Sequence, residues 1–371
     1  VYRILLTGMA LGPALAAALP LSGIAVAVSG LGSAYALMAS MRLEPIRIRK
    51  FTSGGRRAET LLQSDLSNAQ KRKLPNQDFM LRELLRVMSV GREFQPPGAP
   101  PCRDNVIALT LRGLMLGWKT KDLTKLSELQ RCELYLINTL LRSDPGEAGR
   151  IAQLFARPET MLDLRDEIDA IALRRTAFDR DYGAFVATRD LWTNGADTAR
   201  PMIALLQGLG AADIDLWHHV VTRHDLSNPD QRRAAVWCLQ QKDVNRSTVA
   251  AFFGRLAKEQ ALRTALAQGD TEFLTAVQGL IGAWNDSFYK LSELALSPAL
   301  DVRTLKPLFE DELEYMQEHA GGGGWIAPHC LFVEYDGRAP RNRDLWDLHR
   351  SCLTQPPRQA DCFEAAFESL S

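Results

Sequence analysis

The 371-residue sequence has no C-x-x-C pair, no G-x-S-x-G elbow and no G-x-x-x-x-G-K-[ST] loop. The first absence argues against a structural zinc site, which needs close ligand pairs. The second removes the strained nucleophile turn of a serine hydrolase, and the third the phosphate cradle of a P-loop enzyme. Net charge is also missing, with 44 basic against 44 acidic residues, so no global field recruits nucleic acid or acidic substrates. Alternating strand patterns are lacking too; "CLFVEY", Cys330 to Tyr335, is the one stretch that reads as a strand. The apolar fraction of 46% nevertheless implies a chain that folds around a core.

Charge is absent from Ile4 to Met41. One membrane crossing takes about 20 apolar residues, so this run is too long for one helix and sufficient for two short ones. Leu19-Pro20-Leu21-Ser22-Gly23 breaks it with turn chemistry, and Gly23, Ala27, Gly30 and Ala34 form a small-residue stripe suited to close helix packing in lipid. The expectation is a transmembrane hairpin over 1–41. Arg42, Arg47, Arg49, Lys50, Arg56 and Arg57 follow it as a basic collar, which marks the cytoplasmic side and attracts anionic lipid. Two alternatives stand beside it: a single span, and a signal segment built from Arg3, Ile4 to Leu15 and the small-residue site Ala16-Ala17-Ala18.

Beyond the collar the pattern is helical. Leu81, Leu84, Leu85 and Met88 fall at i, i+3, i+4 and i+7, and similar stripes run through Leu129/Cys132/Leu136/Leu140, Val249/Phe252/Phe253/Leu256 and Leu305/Leu308/Phe309/Met316. "VIALTLRGLMLGW", Val106 to Trp118, is too short to span a bilayer and reads as a core helix. Helix starts are marked at Asp144-Pro145, with Glu147 reaching back to the cap, and at Asn228-Pro229, with Gln231 doing the same. The fold class is therefore all-α: the N-terminal hairpin, then an irregular multi-helix bundle or array. A basic membrane-proximal segment spans 42–93, a proline-rich linker 94–103, the main helical domain 104–320, and a C-terminal segment 321–371 follows the Gly321–Gly324 joint.

Half of the six histidines lie in "DIDLWHHVVTRHD". His218, His219, His224 and Asp225 are the candidate metal ligands, because imidazole and carboxylate are metal-binding groups. Their spacing is poor, since one helix presents ligands at i and i+4, whereas His218 and His219 diverge by about 100°. A simpler reading makes Asp213 and Asp215 first-turn residues that offset the helix dipole, with His224 a cation at the C-terminal end. "HAGGGGWIAPH" resembles an esterase oxyanion loop but has no nucleophile to serve, so its glycines read as a joint. The dense carboxylates of "ELEYMQEHA" and "LDLRDEIDAIALRR" read as a solvated face. The six dispersed cysteines read as reduced, buried thiols; only an exported chain would favour a bridge such as Cys352 to Cys362.

"KDVNRSTVAAFF" and the later "AWNDSFYK" together resemble an uncharacterised bacterial helical domain of unknown function, over about residues 231–290. In that family a Cys-Asp-Arg-x-Thr turn opens a short helix and a Trp-Asn-x-x-Phe-Tyr segment follows. Here Val244 stands in place of the cysteine and Asn245 in place of the aspartate. The resemblance implies a small helical domain and transfers no catalytic residue.

The sequence thus leads us to expect a membrane-anchored helical interaction or scaffold protein in the bacterial inner membrane, its main domain cytoplasmic. Its expected partners are anionic lipid and a protein, with no nucleic acid and no cofactor. A metal-dependent hydrolase using the 213–225 cluster, and a periplasmic or secreted helical binding protein, are the alternatives.

Overall fold

A computed structural model describes residues 74–89, 96, 98–195, 200–297, 300–321 and 324–363. The chain is all-α, with thirteen helices among the described residues and one two-stranded ribbon. The expected hairpin over 1–41 and the basic collar lie outside the described residues. Among those described, no helix is long and apolar enough to cross a membrane. That finding corrects the expected inner-membrane location.

Two compact units divide the chain, one containing 102–169 and the described residues before Arg92, the other 93–101 with everything from Ala170. In the first, α1 (Gln77–Met88), α2 (Arg103–Gly117), α3 (Glu128–Arg142) and α4 (Pro145–Ala152) precede the start of α5 (Pro158–Thr193). The helix α1 packs on α2 and α3, so the proline-rich stretch after it does not separate it from the helices that follow. Amphipathic spacing explains the packing: Leu84 and Val87 of α1, Ile107 and Leu111 of α2, and Ile137 and Leu140 of α3 are all buried. The "VIALTLRGLMLGW" stretch forms α2 and buries one face only, with Leu109 and Leu116 exposed. Leu85 and Leu129, both in the expected core stripes, also face outward.

The second unit takes the rest of α5, then α6 (Met202–Gly208), α7 (Ile214–Arg223), α8 (Pro229–Leu239), α9 (Arg246–Lys258), α10 (Ala261–Gln268), α11 (Thr271–Asn285) and α12 (Val302–His319). Its core is built on α9, whose Val249, Phe252, Phe253 and Leu256 are buried against α7, α10 and α12. Gly254 lets α12 come close, since a Cβ there would meet Leu305 at 2.8 Å. After α12 the chain is nearly devoid of regular structure until the ribbon β1 (Trp346–Asp347) with β2 (Cys352–Leu353) and the single turn α13 (Gln359–Cys362). The expected strand at 330–335 is absent, because its backbone is in turns and bends. Cys362 and Phe363 instead close an aromatic cluster with Phe178, Tyr182 and Phe185 of α5.

The helix caps follow the sequence, but both side chains expected to reach back to them take other partners. Asp144 and Asn228 accept from the first-turn amides as expected. The side chain of Glu147 pairs with Arg150 rather than with its cap, and Gln231 accepts from the Asp225 amide at 2.7 Å.

Candidate functional site

The N-terminus of α7 is where the irregular C-terminal segment is fastened. Asp213 is the N-cap, its Oδ1 accepting from the amides of Asp215 at 3.1 Å and Leu216 at 2.9 Å. Aspartate suits this position because it satisfies orphan amides and faces the positive end of the helix dipole. Capping accounts for only part of its contacts, because Asp213 and Asp215 are both buried and each receives an arginine from the "GRAPRNR" stretch, Gly337 to Arg343.

Gly337 makes the approach possible. A Cβ there would stand 2.6 Å from the Glu293 carbonyl oxygen and the same distance from the Leu294 carbonyl carbon. Without it, two backbones meet: the Arg338 amide donates to Glu293 O at 2.9 Å and the Ala295 amide to Arg338 O at 2.8 Å. Arg338 then grips Asp215 with both terminal nitrogens, at 2.8 and 2.7 Å. Arg341 gives its backbone amide to Asp215 at 2.9 Å and its guanidinium to Asp181 at 2.7 Å and to the Cys362 carbonyl at 2.8 Å. Arg343 is 2% exposed; it pairs with Asp213 and also donates to the Asp361 carbonyl. Next to them Arg180 holds Glu293 at 2.9 and 2.8 Å and Asp181 at 2.8 Å.

Four guanidiniums (Arg180, Arg338, Arg341, Arg343) therefore face four carboxylates (Asp181, Asp213, Asp215, Glu293). Burial pushes the Asp215 carboxyl up, and the contacts from Arg338, Arg343 and Arg341 more than offset it, leaving it below the ordinary range. Burial likewise opposes the charge on Arg343, and Asp213 overcomes it. Matched charges of this kind are neutral toward stability compared with apolar packing, but removing one partner strands the other. Their effect is to fix geometry.

The histidines are placed apart in chemistry. His218 meets Thr248 Oγ1 through Nδ1 at 2.9 Å, and burial pushes its pKa down to about 4. His224 turns Nδ1 to the Val221 carbonyl at 2.8 Å, and burial, with Arg255 nearby, takes it to about 4. It is thus neutral at pH 7, not the C-terminal cation the sequence suggested. His219 is partly buried and lowered for the same first reason. Asp225 caps Ser227, whose side chain and amide hold its carboxyl below the ordinary range. These four do not converge; among the described residues no three His, Cys, Asp or Glu side chains are grouped to hold a metal ion.

Other expectations were revised by burial. Glu312, within the carboxylate-rich stretch, is 1% exposed and paired with Arg263 rather than solvated. The six cysteines are free thiols, but only Cys132, Cys238 and Cys362 are buried, and Cys330 is exposed. Sequence reading missed Arg338, Arg341 and Arg343 entirely. Their signal was three arginines in six residues, directly after a glycine, in a stretch with no helical period.

The "KDVNRSTVAAFF" and "AWNDSFYK" segments are brought together. Asn245 caps α9, Arg246 donates its amide to Leu291 O at 2.9 Å, and Trp284 packs on Tyr289. No protein-family model, curated protein or solved structure matches the chain.

Proposed function

We propose that this chain acts by binding rather than by catalysis, as a helical interaction protein whose recognition element is the irregular stretch from Trp325 to Leu345. The observation that carries this reading is the cluster of four arginines and four acids that fastens the stretch onto α7 and α5. Non-helical chain held in one shape by buried ion pairs is suited to recognition, because the ordering cost is met before the partner arrives. The same stretch presents Ile326 and Val333 to solvent, 64% and 38% exposed. Exposed apolar side chains on a fixed backbone are the usual anchors of a protein interface.

Photo-crosslinking tests it. A photoreactive residue at Ile326 or Val333 of the full chain, in cells, is expected to give discrete protein adducts, absent when it replaces Leu173 in α5. The same adducts should weaken in Arg341→Met. Adducts missing at both positions, or equal at Leu173, contradict the reading.

A further inference from the structure

Almost every arginine in the second unit's core is matched by an acid, which makes an exception informative. Arg246 is the exception among them, with no carboxylate within 4 Å among the described residues, and the exposed Lys290 beside it has none either. Both line one open cavity of about 210 Å³, together with Trp284, Ser287 and Tyr289. No carboxylate lines it.

Local structure explains how these five residues meet. Helix α11 ends with Ser287 in the left-handed conformation, φ +57°, where glycine is usual. The Ser287 amide donates to Trp284 O and the Phe288 amide to Ala283 O, both at 2.9 Å, the paired bonds of a Schellman turn. That reversal carries Tyr289 and Lys290 back past Trp284. The Asn245–Leu291 bridge then sets the first residue of α9 beside them. The guanidinium of Arg246 lies 4.8 Å from the centroid of the Trp284 ring, and the ring is itself fixed by its Nε1 donating to His329 O at 2.8 Å. The ring face attracts the guanidinium, whose N–H donors have no hydrogen-bond partner among the described residues. Tyr289 is 4% exposed and its hydroxyl has no hydrogen-bond partner among the described residues. Burial raises its pKa, so it stays protonated and able to donate.

We propose that this cavity binds a phosphate dianion, either free phosphate or the monoester of a small molecule. Two cations without counter-charges match its charge, the arginine fork matches its oxygens, and Ser287 adds an exposed hydroxyl donor. The cavity has room for the phosphate group and a small organic remainder. None of the five lining residues belongs to the Trp325–Leu345 stretch, which meets the site at the His329 carbonyl on Trp284.

Isothermal titration of the full chain with inorganic phosphate, phenyl phosphate and benzoate tests it. Saturable binding of either phosphate is expected, and the tighter of the two identifies the source. Arg246→Gln should weaken it roughly tenfold or more and Lys290→Gln at least about threefold, while Lys258→Gln leaves it unchanged. Lysine 290 is exposed, so its variant folds even if Arg246→Gln is impaired. Binding should also weaken below about pH 6, where a phosphate monoester takes up its second proton. No saturable binding of either phosphate, insensitivity to both substitutions, or benzoate binding as tightly as phenyl phosphate overturns the proposal.

Discussion

Arg343 grips Asp213 through two nitrogens, Nε to Oδ2 at 2.9 Å and Nη2 to Oδ1 at 3.1 Å, across 130 residues of sequence. One aspartate thus caps α7 and anchors the chain that returns to it, so helix start and C-terminal segment share a carboxylate. The consequences differ for each arginine of the cluster, and the differences can be measured.

Arg343→Met leaves the Asp213 carboxylate buried with no cation bonded to it, at an expected cost of about 3–5 kcal/mol. Arg341→Met is milder, about 1–2 kcal/mol, because Asp181 keeps Arg180 and Asp215 keeps Arg338. Adding Asp213→Ser to Arg343→Met retains a capping oxygen and removes the stranded charge, so the double variant should be more stable than Arg343→Met alone. Denaturant midpoints for the three variants check the order.

Gly337→Ala should destabilise by about 2 kcal/mol or more, since its Cβ would collide with backbone rather than with a side chain that can move. Gly149, where a Cβ meets nothing within 4 Å, serves as the control. There alanine should stabilise helix α4 by up to about 1 kcal/mol. Thermal unfolding of both variants distinguishes the two cases.

Stability should fall with acid in a window set by the histidines. The unfolded chain protonates His218 and His224 near their ordinary value of about 6.5, whereas the folded chain resists until about pH 4. The contribution is therefore complete above the ordinary pKa and is lost as pH falls toward 4. The slope is roughly 1.4 kcal/mol per unit for each histidine. Asp215, held below the ordinary carboxylate value, keeps its contribution throughout that window and loses it only at more acid pH. Unfolding measured from neutral pH downward should flatten in a His218→Gln/His224→Gln variant; an unchanged slope contradicts the assignment.

Ser287→Gly relieves a left-handed residue at the end of α11 and should raise stability by about 1 kcal/mol. The midpoint of chemical unfolding reports it directly.

Much of the helical architecture was legible because it is local. Asp144, Asn228 and Asn245 cap the helices that their neighbours announce, and the α9 stripe Val249/Phe252/Phe253/Leu256 is buried throughout. Leu85, Leu129 and Leu308 fit the same spacing yet stand exposed, since a period gives a face but not its width. The Asp213–Arg343 pair lay beyond reach because no periodicity links positions so far apart in sequence. The histidine cluster misled for the opposite reason: neighbours in sequence, His218 and His224 turn to Thr248 and to a backbone carbonyl. Gly337 could be seen as a glycine, but its need arises only from the Glu293 backbone it meets.

Amide hydrogen exchange across residues 325–345 tests most directly whether buried ion pairs hold the irregular segment in one shape. The amides of Arg338 and Arg341, which donate to Glu293 O and Asp215 Oδ1, should be protected to nearly the level of the α9 core, and should lose at least about tenfold of that protection in Arg341→Met. Exchange of both amides at the rate of unstructured chain in the unaltered protein would contradict the account.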